Sequence, residues 1–164
     1  MKSTGEVMCV GDTFAEAYDK AQTSEGHSIP TSGKAFISVR DFDKDGIVTV
    51  ANELDNLGFA LVATRGTAKV IADAGLPVEQ VNKVAEGRPH IVDMIKNNEI
   101  SIIVNTTEGR QAIKDSSSIR RSAEQHRVYY TTTLAGANAI CMALRFGRRK
   151  EVRRLQDLHK RIAK

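Results

Sequence analysis

Tryptophan is absent from these 164 residues, aromatic side chains make up only 5%, and there are three prolines and two cysteines. Each shortage removes a class of function. So few aromatics leave no platform on which the bases of a single strand could stack. Cys9 and Cys141 lie near opposite ends of the chain without partners at metal-ligand spacing, so neither a disulfide framework nor a zinc site is signalled. No apolar run approaches the roughly 18 to 20 residues that a bilayer-spanning helix needs. Met1 to Val10 lacks the apolar core and small-residue cleavage site of a secretory signal. The expectation is a cytoplasmic protein with no membrane and no nucleic-acid partner.

Catalytic signatures are missing too. There is no G-x-S-x-G elbow, no G-x-x-x-x-G-K-[ST] phosphate loop and no G-x-G-x-x-G fingerprint. His27, His90, His126 and His159 are scattered, with no two at i, i+4 spacing. No catalytic residue, no metal site and no resident cofactor is assigned. Even the net charge of +4 is local: Arg145 to Lys164 carries nine Lys or Arg against two acids, which leaves the first 144 residues net acidic. A basic tail of this kind reads as the polar face of a terminal helix.

What is present fits one core of ordinary size, with 41% hydrophobic and 27% charged residues. Thr13-Phe14-Ala15-Glu16 is a capping-box pattern that opens a short helix through Gln22. The polar stretch from Thr23 to Gly33 reads as a linker. The helix has few apolar residues with which to bury itself, and is expected to be mobile or loosely docked. From Lys34 onward, short apolar runs alternate with helical periods, the pattern of βα units in a parallel sheet.

Strands are expected at Ala35 to Val39, Phe59 to Ala63, Val81 to Val84, Ile100 to Val104 and Val128 to Tyr130. Ile47, Val50, Ala51, Leu54 and Leu57 mark one helical face closed by Gly58. Further helices follow at Thr67 to Ala74, His90 to Asn97, Ala112 to His126 and Leu134 to Phe146. A terminal amphipathic helix carries Val152, Leu155, Leu158 and Ile162. The fold class is therefore α/β, a five-stranded parallel sheet flanked by helices in Rossmann or flavodoxin-like layering. Residues 1–32 read as a remnant of something upstream plus a linker, 33–149 as the main domain and 150–164 as a C-terminal amphipathic helix.

In such sheets ligands bind beyond the carboxyl ends of the strands, where helix N-termini present unpaired N–H groups. Two strand-to-helix turns stand out, Thr64-Arg65-Gly66-Thr67 and Asn105-Thr106-Thr107-Glu108-Gly109-Arg110. Each offers hydroxyls and a glycine that lets backbone approach a ligand. Lys83, at the end of the third strand, adds a charge on the same rim, and Ser38 and Lys44 complete it. Together they suit an anion such as a phosphate. The plainer alternative is that Thr67 only caps a helix and Gly66 only turns the chain. Glu108 and Asp115 could reach the rim, but acids around a helix start more often cap and solvate.

Four stretches in order carry a family likeness: Gly33 to Arg40, Thr64 to Thr67, Val81 to Ile91 and Ile103 to Thr107. They resemble the methylglyoxal-synthase-like domain that ends the large chains of bacterial carbamoyl phosphate synthetases. Lys2 to Met8 with Thr13 to Ala17 looks like the end of the preceding synthetic half, so the chain looks like a fragment. The resemblance implies regulation, with UMP and IMP at overlapping sites and ornithine near the junction with the synthetic half. It implies nucleotide contacts at Ser38, Lys44, Thr64, Gly66, Thr67, Lys83, Asn105, Thr106, Thr107 and Asp115.

For ornithine it implies Thr132, although Thr131 stands where the family would have an aspartate. It further implies a parent enzyme that uses ATP with Mg or Mn, a glutaminase small chain, and pyrimidine and arginine biosynthesis as the destination. The terminal helix and first strand could also mediate self-association, as in some members. Two enzyme relatives share the likeness. Methylglyoxal synthase resembles the chain in its Thr-x-Gly-Thr turn, but its catalytic aspartate lies in a Gly-Gly-Asp stretch where this chain has Gly87-Arg88-Pro89. The cyclohydrolase domain of the bifunctional purine enzyme is similar at its start, but its further motifs are missing here.

Overall fold

Runs of consecutive buried residues in Gly33–Ser38, Phe59–Thr64 and Ile100–Asn105, covered on both faces, build the centre of the molecule. The computed structural model describes residues 2–3, 6–26, 28–147 and 153–162. In chain order, β1 (Lys2–Ser3) and β2 (Glu6–Val7) form a two-stranded antiparallel pair, and α1 (Phe14–Ser24) follows. The main sheet comprises β3 (Gly33–Ser38), β4 (Phe59–Thr64), β5 (Glu79–Val81), β6 (Ile100–Asn105) and β7 (Tyr129–Thr131). Its helices are α2 (Lys44–Asn56), α3 (Arg65–Asp73), α4 (Ile91–Lys96), α5 (Arg110–Gln125) and α6 (Leu134–Phe146), with α7 (Leu155–Ile162) last.

The strand order is β5-β4-β3-β6-β7 and every pairing is parallel. The chain winds outward from β3 to one edge, crosses back, and continues to the other edge from β6. The reversal falls between β3 and β6, where the crossovers leave toward opposite faces and a crevice opens at the strand ends. Two apolar layers cover the sheet. Ile37, Ile47, Val50, Leu54 and Ile140 pack on one face, and Phe36, Ile91, Ile95, Ile103 and Ile119 on the other.

The helical stripe from Ile47 to Leu54 is buried as its spacing requires, and Gly58, at a φ of 87°, ends α2 by turning the chain left-handed. Gly75 does the same after α3, at 83°.

Four expectations need correction. The third strand is Glu79–Val81 rather than Val81 to Val84. Val84 instead opens a 3-10 turn, Val84–Glu86, and Lys83 caps that turn instead of ending a strand. The helix after β4 starts at Arg65, with Thr64 as its N-cap, so Thr67 sits inside the first turn and caps nothing. The stretch before β3 is anchored, since Ile29 is 1% exposed in the core, and α1 packs on α6. Thr13 accepts from the Glu16 N–H at 3.2 Å, while the Glu16 carboxylate turns back to the N–H of Asp12 at 2.8 Å, one residue earlier than a capping box predicts. Val152 and the start of the expected terminal helix lie outside the described residues.

Candidate functional site: a cleft at the strand ends

A cleft of about 570 Å³ lies at the carboxyl ends of β3, β4 and β6, a size ordinary for a small-molecule site. Ser38, Thr64, Lys83, Asn105, Thr106 and Thr107 line it together. These six come from segments far apart in sequence, and each sits at or just beyond a strand end. Lys44 stands one step outside: its Nζ lies 3.5 Å from where a Cβ on Gly66 would be, so it faces the first turn of α3. The side chain of Asp115 lies outside the described residues. Thr132 is exposed just past β7 and is not part of the cleft lining.

Hydrogen bonds tie the rim together before any ligand arrives. The hydroxyls of Ser38 and Thr64 lie 3.1 Å apart across the ends of β3 and β4. Thr67, 1% exposed, accepts from the N–H of Val39 at 3.2 Å. Thr106 accepts from the N–H of Arg40 at 3.1 Å, and its own N–H donates to the Ser38 carbonyl at 3.0 Å. The Asn105 amide donates to the Tyr130 hydroxyl at 3.2 Å, which also accepts from Arg120 at 3.3 Å. Thr67 and Asn105 therefore brace the wall, and the freer groups are Ser38, Thr64, Thr107 and Lys83.

Because the Thr64 hydroxyl is turned toward Ser38, it makes no cap to α3, whose first N–H groups have no side-chain acceptor from their N-cap. Gly109, the N-cap of α5, likewise supplies no side-chain cap. Two helices thus start beside the cleft without a side-chain cap from their N-cap residues, and a helix start of this kind favours an anion by about 0.3 to 1 kcal/mol.

Sequence reasoning missed the charged side of the cleft and its apolar wall. Arg40 and Asp41, shortly after β3, line it, as do Ser116, Val84, Ile91 and Ile119, together with Glu108, which the sequence had already placed within reach of the rim. Arg40 donates to Asp43 at 2.8 Å, lies 3.7 Å from Glu108, and sits 5.2 Å over the Phe42 ring. The Arg40 guanidinium holds the Asp43 carboxyl below its ordinary range, aided by the Thr106 hydroxyl. Asp41 pairs with Lys44 at 2.6 Å, and that hydrogen bond keeps its carboxyl low as well. Helical spacing places Ser116 and Ile119 on one face of α5, so this wall was findable once α5 was known to border the rim. The Arg40 and Asp41 positions carried no comparable signal. Among the described residues, no group of three His, Cys, Asp or Glu side chains could hold a metal ion, and no helix is long and apolar enough to cross a membrane.

The profile of the MGS-like domain family matches residues 46–132, just over half the chain and the region that builds most of this cleft. The chain belongs to that family. This MGS-like domain is 65% identical over 159 residues to the carbamoyl phosphate synthase large chain of Pseudomonas syringae pv. tomato, covering 97% of this chain and 15% of that one. Likeness to the large chain of Halomonas eurihalina is 62% over 162 residues, covering 97% and 15%. With the Xanthomonas axonopodis pv. citri large chain it is 58% over 162 residues, covering 99% and 15%. The chain thus spans about 15% of the length of these relatives. Among solved structures, methylglyoxal synthase from Elizabethkingia anophelis superposes with a TM-score of 0.53 at 23% identity, over 66% of this chain and 77% of that one, which shows a shared fold.

Proposed function

We propose that this MGS-like domain is the allosteric effector module of a glutamine-hydrolysing carbamoyl phosphate synthetase large chain, and that its cleft takes a nucleoside monophosphate, UMP or IMP. One observation carries the reading: Ser38, Thr64, Lys83 and Thr107 converge beside two helix starts whose N-cap residues supply no side-chain cap. Hydroxyls and N–H groups suit phosphoryl oxygens, and Lys83 supplies a full charge. The phosphoryl group would sit by Thr64, Gly66, Thr67 and Lys83, with Lys44 and Asn105 to Thr107 around it. Ser38 and Asp115 would be further contacts. Val84, Ile91 and Ile119 would face the base.

Ornithine would use Thr132 together with groups from the rest of the large chain. The parent enzyme would consume ATP with Mg or Mn, receive ammonia from a glutaminase small chain, and feed pyrimidine and arginine biosynthesis in the cytoplasm. Residues 1–32 would belong to the synthetic half and its linker, 33–149 to the effector domain, and 150–164 to a terminal helix. Regulation requires that the nucleotide bind two states of the enzyme unequally, by roughly 1 to 3 kcal/mol in typical systems.

A lyase acting on a triose phosphate has less support. Proton abstraction needs a free carboxylate base, yet Asp41 and Glu108, the described acids lining the cleft, lie beside Lys44 and Arg40. Calorimetric titration of the wild-type chain and Lys83→Ala tests the effector reading. Both UMP and IMP should bind the wild type and bind the variant roughly tenfold or more weakly, as loss of a charge-assisted hydrogen bond implies. Unchanged affinities would remove Lys83 from the site. Release of methylglyoxal from dihydroxyacetone phosphate would favour the lyase.

A further inference from the structure

The cleft is not simply basic. Asp41 lines it, and its carboxylate reaches outward to Lys44 at 2.6 Å. That ammonium in turn lies beside Gly66, in the first turn of α3, where the N-cap residue supplies no side-chain cap. Asp41 thus holds the ammonium that faces this helix start, the same cation an incoming phosphoryl group would meet. Asp41 is also near enough to Lys83 for that second charge to help hold its carboxyl low.

The other cationic group lining the cleft, Arg40, is committed to Asp43 at 2.8 Å and Glu108 at 3.7 Å. Lys83 differs, since among the described residues its ammonium has no carboxylate within salt-bridge distance. Two lysines therefore stand near the mouth in different states, one open and one already holding an anion.

Resting on the phosphoryl-site reading above, we propose that Asp41 is an internal counter-ion that competes with the ligand's phosphoryl group for Lys44, so that binding is an exchange of one anion for another. Three consequences follow from the geometry. The Asp41 carboxylate, whose side chain is 94% exposed, is free to swing into solvent when displaced, so the exchange requires no repacking. A dianionic ligand displaces it better than a monoanionic one, because the gain at Lys44 grows with ligand charge while the loss of the Asp41 contact is fixed. A neutral nucleoside gains nothing from its removal. Asp41 thus sets how strongly the site discriminates by phosphoryl charge.

The test uses the full chain and three titrations, of UMP, of uridine and of inorganic phosphate, into wild type, Asp41→Asn and Asp73→Asn. Asparagine keeps an oxygen for Lys44 but removes the charge. Asp73 ends α3, at the opposite end of the helix, so its variant carries the same change in net charge away from the cleft. The expected result is a gain of about five- to tenfold in UMP and phosphate affinity for Asp41→Asn, the size of one nearby unit charge at a solvated site. Uridine affinity should stay unchanged, as should all three ligands with Asp73→Asn. If wild type binds UMP while Asp41→Asn binds it equally or more weakly, the competition does not exist. An equal gain for uridine, or an equal gain from Asp73→Asn, would also overturn it. Absence of UMP binding to wild type and Asp41→Asn alike would instead refute the phosphoryl site itself.

Discussion

At the scale of single residues, short polar side chains brace the cleft, Thr67 and Thr106 by accepting from backbone N–H groups and Ser38, Thr64 and Asn105 by bonding other side chains. Thr67 shows the cost of losing one. Its hydroxyl is the acceptor for the Val39 N–H at the end of β3, in a position 1% exposed. Thr67→Val preserves shape but orphans that buried donor, for which a penalty of about 1 to 3 kcal/mol is typical. The expected outcome is a lower urea midpoint for Thr67→Val with an unchanged slope, while Thr67→Ser stays close to wild type. Equal stability of all three would mean that the N–H finds water or another acceptor. The hydroxyl residues were legible in the sequence because they follow apolar strands directly. Arg40 and Asp41 were not, since a charged pair after a strand resembles any solvated loop, and only the fold shows that this loop borders the crevice.

At the scale of elements, periodicity carried most of the information. The buried stripe of α2 and the left-handed glycines after α2 and α3 stood out because the core leaves them no alternative. β5 was misplaced for a physical reason. It is an edge strand in which only Val81 of its three residues is buried, so no alternation marks it, while Val84 owes its apolar character to the cleft wall. α1 was read as loosely docked because its own apolar face is small. What it lacks is supplied by α6, through a contact no local pattern reveals. β3 also has a special start. Gly33 has a φ of 115°, and a Cβ there would lie 2.1 Å from the Ser101 hydroxyl on neighbouring β6. Gly33→Ala should destabilise the chain by roughly 1 to 3 kcal/mol, the usual range for such a strained backbone position. A denaturation midpoint equal to wild type would show that β3 can begin differently.

At the scale of the molecule, the winding order places the reversal between β3 and β6, and the cleft follows from that topology more than from any one residue. The same scaffold in methylglyoxal synthase shows that the fold by itself does not choose between binding and catalysis. The proposed effector reading rests instead on the cleft's lining, with its hydroxyls and Lys83, and on the described acids Asp41 and Glu108 lying beside Lys44 and Arg40. On the proposed reading, one cleft holding one phosphoryl group would admit one nucleotide at a time.

Calorimetric titration of UMP into the chain, alone and then after saturation with IMP, tests this most directly. The account predicts saturable one-to-one binding of UMP alone, an apparent affinity that falls in proportion to the IMP present, and both nucleotides recovered intact. Binding of both at once, or no saturable heat from either, would contradict it.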